Sequence, residues 1–318
     1  MPKLNVQQNN QNVIQAFKNA LAIGNLKGII ASDGSHNFST AGSNRNLLDN
    51  PWFTVRQRGN GPFSGAGYTV DRWKIAGGNV VVTPRSPYGV NLNWTTACAY
   101  DEYFDIDPQI LVGKTVTLSA MVDGVVYSQS AVYSTSGTYV ITITVGNVLF
   151  RLGYLTSTGR VFIRIGERVS NVATNVNVDA VKLELGSVST LANDAPPKES
   201  QVTDDCKWYF QRIQQEDGYT APVGFGIVAA STTILRTLIP LSSPLRKAGT
   251  LTATATNIGQ MRVQGNGSNL TPTAITGRGV LNGHAVVDIT VNGTLASNQF
   301  YTLVFANSSA TIDLSKDL

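Results

Sequence analysis

The sequence predicts an all-β chain: two antiparallel β-sandwich domains preceded by a short helical and extended N-terminal arm. Three observations carry that expectation. Charged residues make up only 14% of the 318, while Gly, Ser, Thr and Asn are abundant and the aliphatic residues run to Val and Ile, a composition of strands and turns. Apolar and polar residues alternate with period two over many short segments, separated by glycine-rich turns. The alternation is broken once, past the middle, by a Pro-Pro pair in a charged and polar run. Two cores fit this length better than one, because a single core typically holds ~100–200 residues.

Taken in order, residues 1–45 form the arm. Val6, Val13, Ile14, Phe17, Ala20 and Leu21 recur near helical spacing. A helix this short is marginal alone, so its stripe either folds back on its own domain or seats on a partner. In the second case Val13, Ile14, Phe17 and Leu21 are the anchoring residues. Residues 24–45 read as an extended linker. The first sandwich is expected over 46–188. There TVTLSAMV (115–122) places Val116, Leu118, Ala120 and Val122 on one face, and YVITITV (139–145) does the same with Tyr139, Ile141, Ile143 and Val145. Turn signals VDG, STSG and TSTG separate such strands at antiparallel rather than βαβ spacing. A linker is expected at 189–203, and a second sandwich over 204–318, where FGIVAAS, TTILRTLIPL, HAVVDITVNG and QFYTLVFAN read as strands.

Several function classes find no support in the sequence. The net charge of +4 comes from scattered Lys and Arg with no basic run and no aromatic-and-basic ladder, so no nucleic-acid partner is expected. No window approaches the ~18 apolar residues of a membrane span, and no signal segment opens the chain; the protein is expected to be made in a cytosol and not to insert in a membrane. Cys98 and Cys206 are too far apart in sequence for a CxxC knuckle and are expected to be reduced. His36 and His284 stand without a nucleophile-elbow sequence, so no catalytic residue and no cofactor is expected. Asp101, Glu102, Asp105 and Asp107 are the carboxylates a polysaccharide hydrolase would need, which keeps that class as an alternative.

Four segments carry a resemblance. NLLDNPWFTVRQRG (46–59) with YTVDRW (68–73), then GKTVTLSAMV (113–122), VNVDAVKLELGSVSTLAND (176–194) and CKWYFQR (206–212) are similar, in this order, to a pattern of tailed-bacteriophage and prophage structural proteins. In that family the first segment opens a jelly-roll resembling carbohydrate-binding modules, and the last begins a C-terminal β-domain. The resemblance implies a virion appendage: a tail fibre or receptor-binding subunit, or alternatively a collar, head-fibre or capsid decoration protein. It implies a homotrimer, other virion proteins as partners of the arm, contact with host-surface glycan, and a location on the virion after synthesis in the bacterial cytoplasm. Carbohydrate modules of this kind often hold a structural calcium. Asp179 fits one ligand position, but Thr54 stands where an acidic ligand is expected, so no metal is expected.

The residues themselves offer two site candidates. Tyr88, Trp94, Tyr100 and Tyr103, close to Asn93, Asp101 and Glu102, form the candidate carbohydrate-binding platform, because an aromatic face stacks on a sugar ring while amides and carboxylates take its hydroxyls. The opposing expectation is that sandwich aromatics are core. Asp71, Arg72 and Trp73 read as a structural latch fixing a domain's opening strand, and Arg56 and Arg58 are expected to pair with a carboxylate such as Glu184.

Overall fold

A computed structural model describes residues 44–77, 80–94, 99–103, 107–136, 138–167, 174–215, 221–229, 231–246, 250–265 and 267–316. Residues 1–43 of the arm, with Val13, Ile14, Phe17, Leu21 and His36, lie outside the described residues, as do Cys98 and Asp105. Within them the chain is all-β, with antiparallel sheets and one α-helix.

The first sandwich contains β1 (Gly67–Tyr68), β2 (Trp73–Gly77), β3 (Val80–Pro84), β4 (Val90–Trp94), β5 (Ala99–Tyr103), β6 (Thr115–Val122), β7 (Val125–Val132), β8 (Tyr139–Val145), β9 (Val148–Leu155), β10 (Arg160–Glu167) and β11 (Thr174–Leu185). They form a six-stranded sheet in the order β1-β2-β5-β10-β9-β8 and a five-stranded sheet in the order β3-β4-β11-β6-β7. One apolar cluster fills the space between, with Trp73, Tyr100, Phe150 and Ile163 from one sheet and Val82, Trp94, Leu118 and Val181 from the other. The predicted alternation holds: Val116, Leu118, Ala120 and Val122 of β6 are buried in this core.

The opposite face of β6 and β11 is buried as well. The lead-in segment and the segment after β11 lie across it. Leu47 N–H donates to the Leu183 carbonyl at 2.8 Å, and Asn46 Oδ1 accepts from Leu183 N–H at 3.1 Å. Ser119 donates to Ser189 at 2.7 Å, and Glu184 accepts from the N–H and hydroxyl of Thr190. Lys182, fully buried, donates to both carboxylate oxygens of Asp194 at 2.9 and 2.8 Å. Residues up to Asp194 are therefore part of the first sandwich, not a free spacer, which corrects the expected linker at 189–203.

Its remainder is corrected too. Helix α1 (Glu199–Lys207) occupies ESQVTDDCK, across the end of that linker and the start of the expected second sandwich. It is nine residues long with no side-chain hydrogen bond at its N-cap, so it depends on tertiary packing. Val202 and Cys206, one turn apart on its buried side, pack with Val55.

The second unit contains β12 (Phe210–Gln214), β13 (Ala221–Val228), β14 (Ile234–Pro240), β15 (Thr252–Thr256), β16 (Met261–Gly265), β17 (Ser268–Leu270), β18 (Pro272–Leu281), β19 (His284–Val291), β20 (Phe300–Phe305) and β21 (Thr311–Ser315). A three-stranded sheet, β12-β21-β15, faces a seven-stranded sheet, β17-β16-β20-β13-β14-β19-β18. Leu235, Val263, Val287 and Leu303 meet Ala253, Ile312 and Leu314 in its core.

Removing Lys182 leaves the Glu184 and Asp194 carboxylates in a covered face without their cation. Lys182→Ala should destabilise the protein by about 3–5 kcal/mol, the cost of breaking a buried pair from one side. Urea denaturation followed by tryptophan fluorescence measures it; a loss under 1 kcal/mol, roughly the exposed-pair value, would show that these charges are not confined.

Candidate functional site

The signature that opens the first sandwich lies against the second unit. Asn50 knots the lead-in: its amide donates to the carbonyls of Val55 and Asp71, both at 3.0 Å, and its side-chain oxygen accepts from the N–H of Thr54 at 3.1 Å. Trp73 Nε1 donates to the Asn50 carbonyl at 3.1 Å, and its ring stacks on Tyr100 with centroids 5.3 Å apart. The turn so fixed presents two arginines to the segment after α1. Arg58 donates to Asp71 Oδ1 at 2.9 Å while its guanidinium lies 3.7 Å above the Phe210 ring. Arg72 donates to Asp49 Oδ2 at 2.9 Å and lies 3.4 Å above the Tyr209 ring. Gln57 adds a bond to the Phe210 carbonyl at 3.3 Å. Each arginine is thus held by a carboxylate of the first sandwich and stacked on an aromatic of the second, an arrangement that needs the planar guanidinium.

The partner expected for Arg56 and Arg58 is corrected here. Glu184 is occupied by Thr190 and lies near Lys182. Arg58 takes Asp71, and Arg56 donates to the carbonyls of Phe53 and Arg85. Asp179 binds Arg85 at 2.6 Å and accepts from Gly124 N–H at 2.8 Å.

The carbohydrate-binding platform does not assemble from the residues expected. VNLNW alternates, so Trp94 falls in line with Val90 and Leu92 and is fully buried in the core. Tyr100 is also fully buried and hydrogen-bonds Thr69 at 2.7 Å. Neither can stack on a sugar. Tyr88 sits elsewhere, edge-on to Trp52 at 4.9 Å, and the side chain of Tyr103 lies outside the described residues. The hydrolase carboxylates likewise have structural partners: Asp101 is bound by Arg164 at 2.8 and 2.6 Å, Glu102 accepts from Asp49 N–H at 3.2 Å, and Asp107 caps a short 3₁₀ turn.

Beside the joint the structure opens a cleft that the sequence reading missed. It encloses about 610 Å³ and is lined by Arg45, Asp49, Trp52, Asp194, Gln201 and Asp205, among others. A hollow of about 200 Å³, formed by Trp208 and Tyr209, shares Asp49, Asp204 and Asp205 with it. Trp208 is exposed at the end of α1. Burial, then the neighbouring Asp49, raises the pKa of Asp205, with Arg45 opposing. An exposed indole beside carboxylates and an amide is the chemistry that grips a sugar ring and its hydroxyls. The signal was present in TDDCKW, because Asp204 and Trp208 are four residues apart and share one side of a helix. Reading 204–208 as the opening of the second sandwich hid it.

No protein-family model matches the chain, and no curated protein is significantly similar to it. Among the described residues no helix is long and apolar enough to cross a membrane.

Two buried groups at the joint have altered acidity. The thiol of Cys206 is pushed well up by burial and by the carboxylates of Asp71 and Asp49, which keeps it protonated. Glu102 is pushed up to about 8 by burial and by Asp49, with Arg72 opposing. A folded-state value above the unfolded 4.5 means the native protein holds a proton that the unfolded chain releases. The stability this group contributes is complete below about 4.5 and is lost as pH rises through about 8. Glu102→Gln should remove this slope, so the variant gains on wild type between about pH 5 and about pH 9 in denaturation midpoints; parallel pH profiles would contradict it.

Proposed function

We propose that the chain is a non-enzymatic structural protein of a tailed-phage virion, an oligomeric fibre or appendage anchored through residues 1–45. The observation that carries the reading is physical linkage among the segments of the resemblance. NLLDNPWFTVRQRG, YTVDRW and CKWYFQR meet at one joint, while VNVDAVKLELGSVSTLAND packs under the lead-in. A joint locked by stacked, ion-paired arginines suits a part that must hold two β-units in fixed relation while it projects from a particle. Glycan contact in this reading moves to the Trp208 cleft.

A second reading, a collar, head-fibre or decoration protein with no glycan ligand, is favoured by one observation: Trp94 and Tyr100 are core residues. Adsorption competition separates the two. Purified protein added before infection should block its phage saturably in the appendage reading, and Trp208→Ala should weaken the block roughly tenfold, the worth of one stacked aromatic. Folded protein that never blocks adsorption favours the decoration reading. Deleting residues 1–45 should abolish incorporation into particles in either case; normal incorporation of the truncated chain would remove the anchoring role. Release of reducing ends from host polysaccharide would return the hydrolase alternative.

A further inference from the structure

The middle of strand β13, residues 224–227, is built inside out. Along APVGFGIV its large apolar residues, Phe225 and Ile227, point to solvent, while Gly224 and Gly226 point to the core. The inner positions have no room for side chains: a Cβ at Gly226 would lie 2.3 Å from the Arg236 carbonyl oxygen, and one at Gly224 2.5 Å from that of Leu238. Val223 and Val228 carry the strand's contribution to its own core, and Phe225 and Ile227 add nothing to it. Neighbouring strands continue the outer face. Leu238 on β14, Leu281 on β18 and Phe300 on β20 join Phe225 and Ile227 around one shallow depression of about 350 Å³.

Phe225, Ile227, Leu238, Leu281 and Phe300 are 63, 52, 42, 57 and 79% exposed. They leave on the order of 500 Å² of apolar side chain in water, near the upper end for the largest patch of a monomer. The charges on this face need no acidic partner, because Arg236 and Arg278 both bind Asp288, at 2.9 and 2.7 Å.

We infer that the outer face of the seven-stranded sheet is a self-association surface, occupied by the same face of a second copy of this chain. Area argues for that occupant. Two such faces stacked as sheets ~10 Å apart bury on the order of 1,000 Å² from these side chains alone, the least a specific interface must clear, and rim residues add the rest. The face is also central in the sheet, on β20, β13 and β14, so it meets its partner by stacking and not by extending an edge. The inference does not depend on a virion role; the same face on the same face is an isologous pairing that makes a dimer, not the homotrimer the resemblance implies.

The test is the mass of the full-length protein by light scattering and sedimentation across concentrations. Wild type should exceed the 34.0 kDa chain mass. Phe225→Asp, and separately Phe300→Ser at the most exposed position, should weaken association by roughly a hundredfold, as loss of a central aromatic does. Both should keep wild-type circular dichroism, and Val132→Asp on the first sandwich should leave the mass unchanged. As a second readout that tolerates partial misfolding of the aspartate variant, Phe300→Cys should cross-link copy to copy under oxidation. Monomeric wild type at tens of micromolar, or an oligomer whose dissociation is unmoved by both substitutions, overturns the inference; so does a monomer that takes up a fluorescent apolar dye at this face.

Discussion

A guanidinium taken out of water, between a carboxylate of one sandwich and a phenol ring of the next, is the interaction on which the remaining structure depends. Arg72 is 1% exposed. Burial disfavours its charge, and Asp49, Tyr209 and Glu102 together outweigh that and raise its pKa. A cation confined in this way cannot tolerate the loss of either partner, so the lead-in that supplies Asp49 and the segment that supplies Tyr209 must hold their places together. Arg58 repeats the device one turn away with Asp71 and Phe210.

Local backbone strain is tied to the same place. Arg72 has φ +75° and Phe53 φ +55°, both left-handed for residues with a Cβ, each costing about 1–2 kcal/mol. Asn50, bonding to the Val55 and Asp71 carbonyls, and Trp73, bonding back to Asn50, hold these two turns. The strain aims both arginines out of the first sandwich toward Tyr209 and Phe210. The cleft that carries Trp208 exists because α1 packs against Val55 at this joint.

The fold was legible because period-two alternation over β6 and β8 reports which residues face the core. The same rule, applied to VNLNW, assigns Trp94 to the core, and there composition misled: aromatics near amides and carboxylates resemble a binding platform until strand parity is counted. Parity also exposes β13, where glycines take the inner positions and Phe225 and Ile227 the outer. What the sequence could not convey was pairing across long separations. Arg58 choosing Asp71 over Glu184 depends on Lys182 and Thr190 having claimed Glu184, and α1 depends on a surface 150 residues upstream of it being present to cover Val202 and Cys206.

The measurement closest to the heart of this structure is a double-mutant cycle between Arg72 and Tyr209, with Arg72→Met and Tyr209→Leu made singly and together and stability read by urea denaturation. Stacking across the joint in a desolvated setting predicts a coupling of about 2 kcal/mol. A coupling near zero would mean that the two sandwiches are merely adjacent and that Arg72 serves only the first.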